Sequence, residues 1–125
     1  MDTICEEHKT CMVAITKKFK ECETILHAMG DTTRQLILCT LLESDFNGIR
    51  VNEIATRIHL SRPSVSHHLQ ILKQAGIINM RRVGTRNYYY LDSSISTWNV
   101  LLELSQMVSD GIKIIEKTDA RKQEE

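Results

Sequence analysis

A mainly α chain carrying one small β-hairpin is the architecture the sequence predicts, and three observations predict it. Two short stretches between Val51 and Gly76 repeat their apolar residues at helical spacing and are joined by a tight turn. A β-prone, arginine-bearing stretch follows at once, from Ile77 to Leu91, with Gly84 at its centre. Longer amphipathic stretches flank this block on both sides. Helix, turn, helix and then a basic ribbon is the order of a winged helix-turn-helix.

Taken from the N-terminus, residues 1–11 have no clear periodicity and read as a flexible arm. From Met12, apolar residues recur as Met12, Ile15, Phe19, Cys22, Leu26 and Met29, which predicts one helix ended by Gly30. Asp31 is placed to cap the next helix, and Leu36 to Leu42 is almost wholly apolar, which makes that helix the core helix. Residues 44–48 then read as a loop. Val51, Ile54, Ala55 and Ile58 form one apolar face of a short helix. Ser61 is an N-cap for its partner, Pro63 is tolerated in the first turn, and Leu60 can staple against Val65. Val65, Leu69 and Leu72 give the second apolar face, and Gly76 stops the helix. Ile77–Arg82 and Arg86–Leu91 are the two strands of the hairpin. After it, Asp92, Ser93 and Ser94 offer caps for a long last helix with Ile95, Trp98, Leu101, Leu102, Val108, Ile112 and Ile115 as its apolar residues. The domain therefore spans 12–118, and the polar residues 119–125 read as a frayed tail.

Function is legible in the polar face of the helix that starts after Ser61. Arg62, Ser66, Gln70 and Lys73 form one stripe, with Ser64 and His67 beside it, and no carboxylate interrupts them. A merely solvated helix usually mixes charge signs. Cations, an amide and small hydroxyls suit a nucleic-acid groove, where Arg and Lys meet phosphates or guanine and Gln meets adenine. The hairpin adds Arg81, Arg82 and Arg86, placed to hold the DNA backbone or minor groove. The chain as a whole has no net charge, but 47–90 holds seven basic residues against the single acid Glu53, a net +6 that the rest of the chain balances. This asymmetry is the footprint of an electrostatic binding face. His68 lies toward the apolar side of its helix and reads as a hydrogen-bonded, largely buried histidine. His59, in the turn, and His27 carry no assigned role.

The run Ser61-Arg62-Pro63-Ser64-Val65-Ser66-His67-His68-Leu69-Gln70-Ile71-Leu72-Lys73-Gln74-Ala75-Gly76-Ile77-Ile78 resembles the signature of the ArsR/SmtB family of bacterial winged-helix repressors. Leu26 to Arg34 resembles that family's entry into its second helix, with Thr32 where proline is usual, and Gly84 to Leu91 resembles its wing. The likeness covers about residues 20 to 110. It implies a homodimer built from the N- and C-terminal helices, which reads a pseudo-palindromic operator of double-stranded DNA and is released by an effector. An isologous pair is also the commonest oligomer.

Many members of the family bind metal ions, and the resemblance lets two usual sites be compared. Where one has a Cys-x-Cys pair, this chain has Arg50 and Asn52; where the other has Asp and His ligands along the last helix, no histidine follows His68. What remains is Cys5-x-x-His8-x-x-Cys11, whose soft thiolates and imidazole suit a thiophilic metal ion. On a regular helix only adjacent pairs of these would share a face, so a three-ligand site needs an irregular arm, Cys22 or the other subunit. A dithiol switch among Cys5, Cys11 and Cys22 is the alternative, and the plain reading makes Cys22 and Cys39 core residues.

Other classes are weaker. There is no apolar run long enough to span a bilayer and no basic-then-apolar N-terminal pattern, so a cytoplasmic protein is expected. No phosphate loop, nucleophile elbow, His-Glu-x-x-His run or paired catalytic carboxylates are found, so an enzyme is not expected. Ser64 and Ser66 stand near His67, but neighbours on one helix do not face each other and no third orienting group is present. A winged helix used only for protein–protein contacts would share the scaffold but would not need a carboxylate-free face and a basic wing.

Overall fold

The computed structural model describes residues 3–45, 47–91 and 96–124, with side chains described between 6 and 118. The elements are α1 (Thr3–Glu21), α2 (Glu23–Met29), α3 (Thr32–Glu43), α4 (Val51–Ile58), α5 (Arg62–Gln74), β1 (Asn79–Val83), β2 (Arg86–Tyr90) and α6 (Thr97–Glu124). This is a mainly helical winged helix-turn-helix with one two-stranded antiparallel sheet. The chain divides into two compact units, one of residues 24–98 and one of residues 1–23 with 99–125.

In the 24–98 unit each helix end is explained by its sequence. The Asp31 carboxylate accepts from the Arg34 amide at 3.0 Å and caps α3, and Ser61 Oγ caps α5 by accepting from the Ser64 amide. Gly76 takes a left-handed φ of 73° after α5, the conformation a C-terminal glycine adopts at no steric cost. The core forms where three helices face one another: Ile37, Leu38 and Leu41 of α3, Ile54 and Ala55 of α4, and Val65, Leu69 and Leu72 of α5, closed by Ile77 and Ile78. Burying each large aliphatic side chain here contributes about 1.5–3 kcal/mol. The core helix α3 uses one face only; Leu36 and Leu42 are exposed, and so is Cys39, which corrects its reading as a core residue.

The hairpin pairs Asn79 with Tyr90 through to Val83 with Arg86, leaving Gly84 and Thr85 as the turn. Ile49 adds an isolated third rung, with amide–carbonyl bonds to Tyr89 in both directions at 3.0 and 2.9 Å. Gly48 makes this possible: at φ 85° a Cβ there would stand 2.7 Å from the Tyr89 carbonyl oxygen. The wing is thus tied by backbone to the entry of α4.

The terminal unit departs most from the sequence reading. Helix α1 begins at Thr3, so the stretch expected as an arm up to residue 11 is helical from its third residue. No glycine or proline breaks it, and Glu6 in the first turn and Lys18 and Lys20 in the last complement the helix dipole. The expected single helix to Met29 is broken at Cys22, whose amide is shared between the carbonyls of Lys18 and Phe19, both at 3.1 Å. Cys22 itself is fully buried. Lys18 of α1 donates to Glu103 of α6 at 2.8 Å, which raises the lysine's pKa from its ordinary value. Helix α6 runs on through Glu124, past the point where fraying was expected. The expected caps Asp92, Ser93 and Ser94, and the apolar Ile95, lie outside the described residues. Among the described residues no helix is long and apolar enough to cross a membrane.

Candidate nucleic-acid interface

Helix α5 turns Val65, Leu69 and Leu72 into the core and leaves Arg62, Ser66, His67, Gln70 and Lys73 exposed on the opposite side. The predicted stripe is therefore a continuous accessible face without a carboxylate. Ser64 is less available: it is half-buried and its amide is already held by the cap.

Helix α5 is linked to α3 by a hydrogen-bond hub that sequence reasoning did not find. Arg34 on α3 is buried. Its Nε donates to the Ala28 carbonyl at 2.7 Å and its Nη2 to the His27 carbonyl at 3.2 Å. These are C-terminal carbonyls of α2 with no partner inside their own helix, and Gln35 satisfies a third, that of Met29, at 2.7 Å. The remaining Arg34 nitrogen, Nη1, lies 3.2 Å from His68 Nδ1. A guanidinium can only donate, so Nδ1 is the acceptor and the imidazole proton sits on Nε2. His68 is thus turned inward and hydrogen-bonded, as its position toward the apolar side predicted. Asp31 completes the cluster, 3.9 Å from His68 Nδ1, and its carboxyl is held below the usual carboxylate value chiefly by the Arg34 amide and then by the Arg34 charge. The only sequence signal was an arginine three residues after a capping aspartate.

The three wing arginines do different things. Arg81 donates to the Asn47 carbonyl at 2.8 Å and lies over the Tyr88 ring, 5.7 Å from its centre. Arg82 donates through Nε to the Gly84 carbonyl at 3.0 Å and braces the turn. Arg86 faces back toward α5, where it lines a cleft together with Arg62 and Ser66. Glu53, the one acid of the basic segment, is engaged by Arg57 at 2.9 Å. The exposed surface between α5 and the wing is accordingly cationic.

The candidate metal ligands lie along one helix. His8 and Cys11 are half-buried on the continuous helix α1, and the side chain of Cys5 lies outside the described residues. At i, i+3, i+6 spacing each ligand is rotated by about 60° from the last, so on this regular helix a three-ligand site calls for Cys22 or the other subunit. Among the described residues no three His, Cys, Asp or Glu side chains converge as a metal site. Arg50 and Asn52, at the family's thiolate positions, instead line the cationic cleft.

Comparison with known proteins gives a consistent picture. A family model described as "Bacterial regulatory protein, arsR family" matches residues 31–80. An uncharacterized HTH-type transcriptional regulator of Methanocaldococcus jannaschii is 40% identical over 75 residues, which cover 60% of this chain and 82% of that protein. The transcriptional repressor SdpR of Bacillus subtilis is 39% identical over 71 residues, 57% of this chain and 76% of its own. Among solved structures, HlyU from Vibrio cholerae superimposes with a TM-score of 0.54 at 31% identity, covering 66% of this chain and 87% of that one.

Proposed function

Because the chain belongs to the arsR family of bacterial regulatory proteins, and so is a DNA-binding transcriptional regulator, we propose that it acts as a homodimeric repressor that reads a pseudo-palindromic operator with α5. The observation that carries this is the exposed, carboxylate-free face of α5 continued by the cationic wing. In this reading Gln70, Ser66 and His67 reach base edges, Arg62 and Lys73 take bases or phosphates, and Arg82 and Arg86 hold the backbone or minor groove. Ser64 positions the helix start, and Arg81 serves first to fix the wing. Such a regulator works in the cytoplasm, beside the DNA, and we assign it no catalytic role.

The dimer is supported by the terminal unit. Met12, Val13 and Phe19 on α1, with Leu102, Ile112 and Ile115 on α6, are exposed in the single chain, more large apolar side chains than a monomer ordinarily leaves in water. A second copy is the occupant we assign, with half-sites about one helical turn apart.

The test is titration of DNA from upstream of the protein's own coding region. Gln70→Ala should cost about 1–3 kcal/mol at particular base pairs. Arg82→Ala with Arg86→Ala should weaken all sequences alike and flatten the salt dependence, each arginine by about one in the log–log slope. Wild-type affinity in the double arginine variant at moderate salt would remove the assignment of the wing.

A further inference from the structure

An open cleft of about 350 Å³ lies between the N-termini of α4 and α5 and the start of β2. At about 30 Å³ per water, it has room for a phosphodiester group and several waters. Arg50, Arg62 and Arg86 line it, with Asn52, Ser66 and Asn87, and no carboxylate does. Three guanidiniums around one hollow repel one another, and an anion placed among them reverses the sign of that interaction.

Two further features point the same way. Helices α3 and α5 are each capped by a side chain, but Arg50 stands at the N-cap of α4 and its side chain accepts from none of the first amides, only its carbonyl accepting from Glu53 and Ile54. The open, positive end of that helix is a ready partner for an oxyanion. On the other wall, Asn87 Oδ1 is shut off from solvent and has no hydrogen-bond partner among the described residues. An acceptor left unmet in this way is costly. A guanidinium carries five donors, so one arginine held between Asn87 Oδ1 and a phosphate oxygen satisfies both.

We propose that this cleft is a clamp for one phosphate of the DNA backbone, gripped by Arg50, Arg62 and Arg86 at the open end of α4, with Asn87 as a positioning residue. The clamp rests on the DNA reading above and adds to it Arg50 and Asn87, from outside the predicted reading helix and wing tip. It fixes the register of α5 in the groove, because Arg62, one of the arginines that grip the phosphate, is the first residue of that helix.

The experiment measures binding of the full-length protein to a duplex from upstream of its own coding region across a salt series, with single phosphates replaced in turn by neutral methylphosphonates. Arg50→Gln should lower the log–log salt slope by about one and weaken all sequences by a similar factor. One methylphosphonate position per half-site should weaken wild type yet leave Arg50→Gln unaffected. Asn87→Asp, nearly isosteric, sets a carboxylate in the cleft and should weaken binding about tenfold or more; it also stands in if Arg50→Gln fails to fold. A wild-type slope in Arg50→Gln, the same methylphosphonate penalties in both proteins, or undiminished binding by Asn87→Asp overturns the clamp. Wild-type binding that is indifferent to salt overturns the DNA reading itself.

Discussion

The 24–98 unit and the unit of terminal helices differ in how much apolar core each holds. In the first, Ile37, Ile54, Val65, Leu69, Leu72 and Ile77 are fully buried within a single chain. In the second, Cys22 and Leu104 are buried, while Met12, Val13, Phe19, Leu102, Ile112 and Ile115 remain exposed. One region carries a core of its own, although it too leaves Leu26, Leu36, Leu42, Leu60, Val83 and Trp98 exposed, and it bears the proposed reading surface. The other buries few and leaves exposed the residues assigned above to the proposed dimer interface. If assembly runs through the terminal helices as proposed, substitutions should separate it from folding.

The largest expected effect is in the self-sufficient core. Leu69→Ala leaves a cavity beneath the reading helix and should cost about 2–5 kcal/mol in urea unfolding. Leu102→Asp is its counterpart: the side chain is 68% exposed, so the single chain should lose no more than about 0.5 kcal/mol. On the proposed dimer, sedimentation should nevertheless show a dimer for wild type and a monomer for the variant, and the concentration dependence of the wild-type Tm should disappear. A Leu102→Asp variant that remains dimeric at micromolar concentration would remove the terminal helices from the interface.

The same contrast explains what could be read from the sequence. Helices α4 and α5 and the hairpin were legible because their signals are local: period, cap, proline in the first turn, glycine at the stop. The start of α1 was not, because Glu6 to Thr10 form a helix without an apolar stripe. The break at Cys22 has no glycine or proline to mark it. Leu36, Cys39 and Leu42 look like core in an apolar run, but α3 buries the face that carries Arg34, Ile37, Leu38 and Leu41 and leaves these three exposed. Arg34 is buried because the carbonyls at the end of α2 lie beside it and take its N–H groups, a fact of three-dimensional packing. The cationic cleft joins residues from three elements that no spacing rule connects.

The tie between the wing and α4 offers a second break within the 24–98 unit. Gly48→Ala would push a Cβ to 2.7 Å from the Tyr89 carbonyl at a φ of 85°. Relief requires loss of the Ile49–Tyr89 rung, at a cost of about 1–3 kcal/mol. Amide exchange should quicken at Ile49 and Tyr89 first, and DNA affinity should fall while the dimer persists. Unchanged protection at both amides would show that the backbone accommodates the methyl elsewhere.

Opposite ends of the pH scale should distinguish the two regions. The Asp31 carboxyl lies below its ordinary value of 3.8 because the Arg34 amide and charge favour its ionised form. A lowered folded value means that its contribution is present above 3.8 and lost as pH falls through the folded value. Acid should therefore release the cap of α3 and loosen the Arg34–His68 hub. Lys18 is raised above 10.5 by its hydrogen bond to Glu103. Its contribution is present below 10.5 and lost as pH rises through the folded value, so alkali should loosen α1 from α6. Both groups sit near the surface, and both effects should shrink in high salt. Amide spectra that respond in the same region at both extremes would contradict this division.

The smallest effect expected is at the turn between α4 and α5. His59 ends α4 with φ 57° and ψ 44°, a left-handed conformation stabilised by its amide bond to the Ala55 carbonyl. For a residue with a Cβ this costs roughly 1–2 kcal/mol. Glycine removes that cost but gives up roughly 0.5–1 kcal/mol of extra chain entropy on folding. The side chain is exposed, so little packing is lost. His59→Gly should thus stabilise the 24–98 unit by about 0.5–1 kcal/mol, read as a higher urea midpoint with an unchanged m-value. The terminal helices should not respond, because their stability is set by a different set of contacts. A lower midpoint would mean that the imidazole makes a favourable contact that outweighs the strain of its backbone.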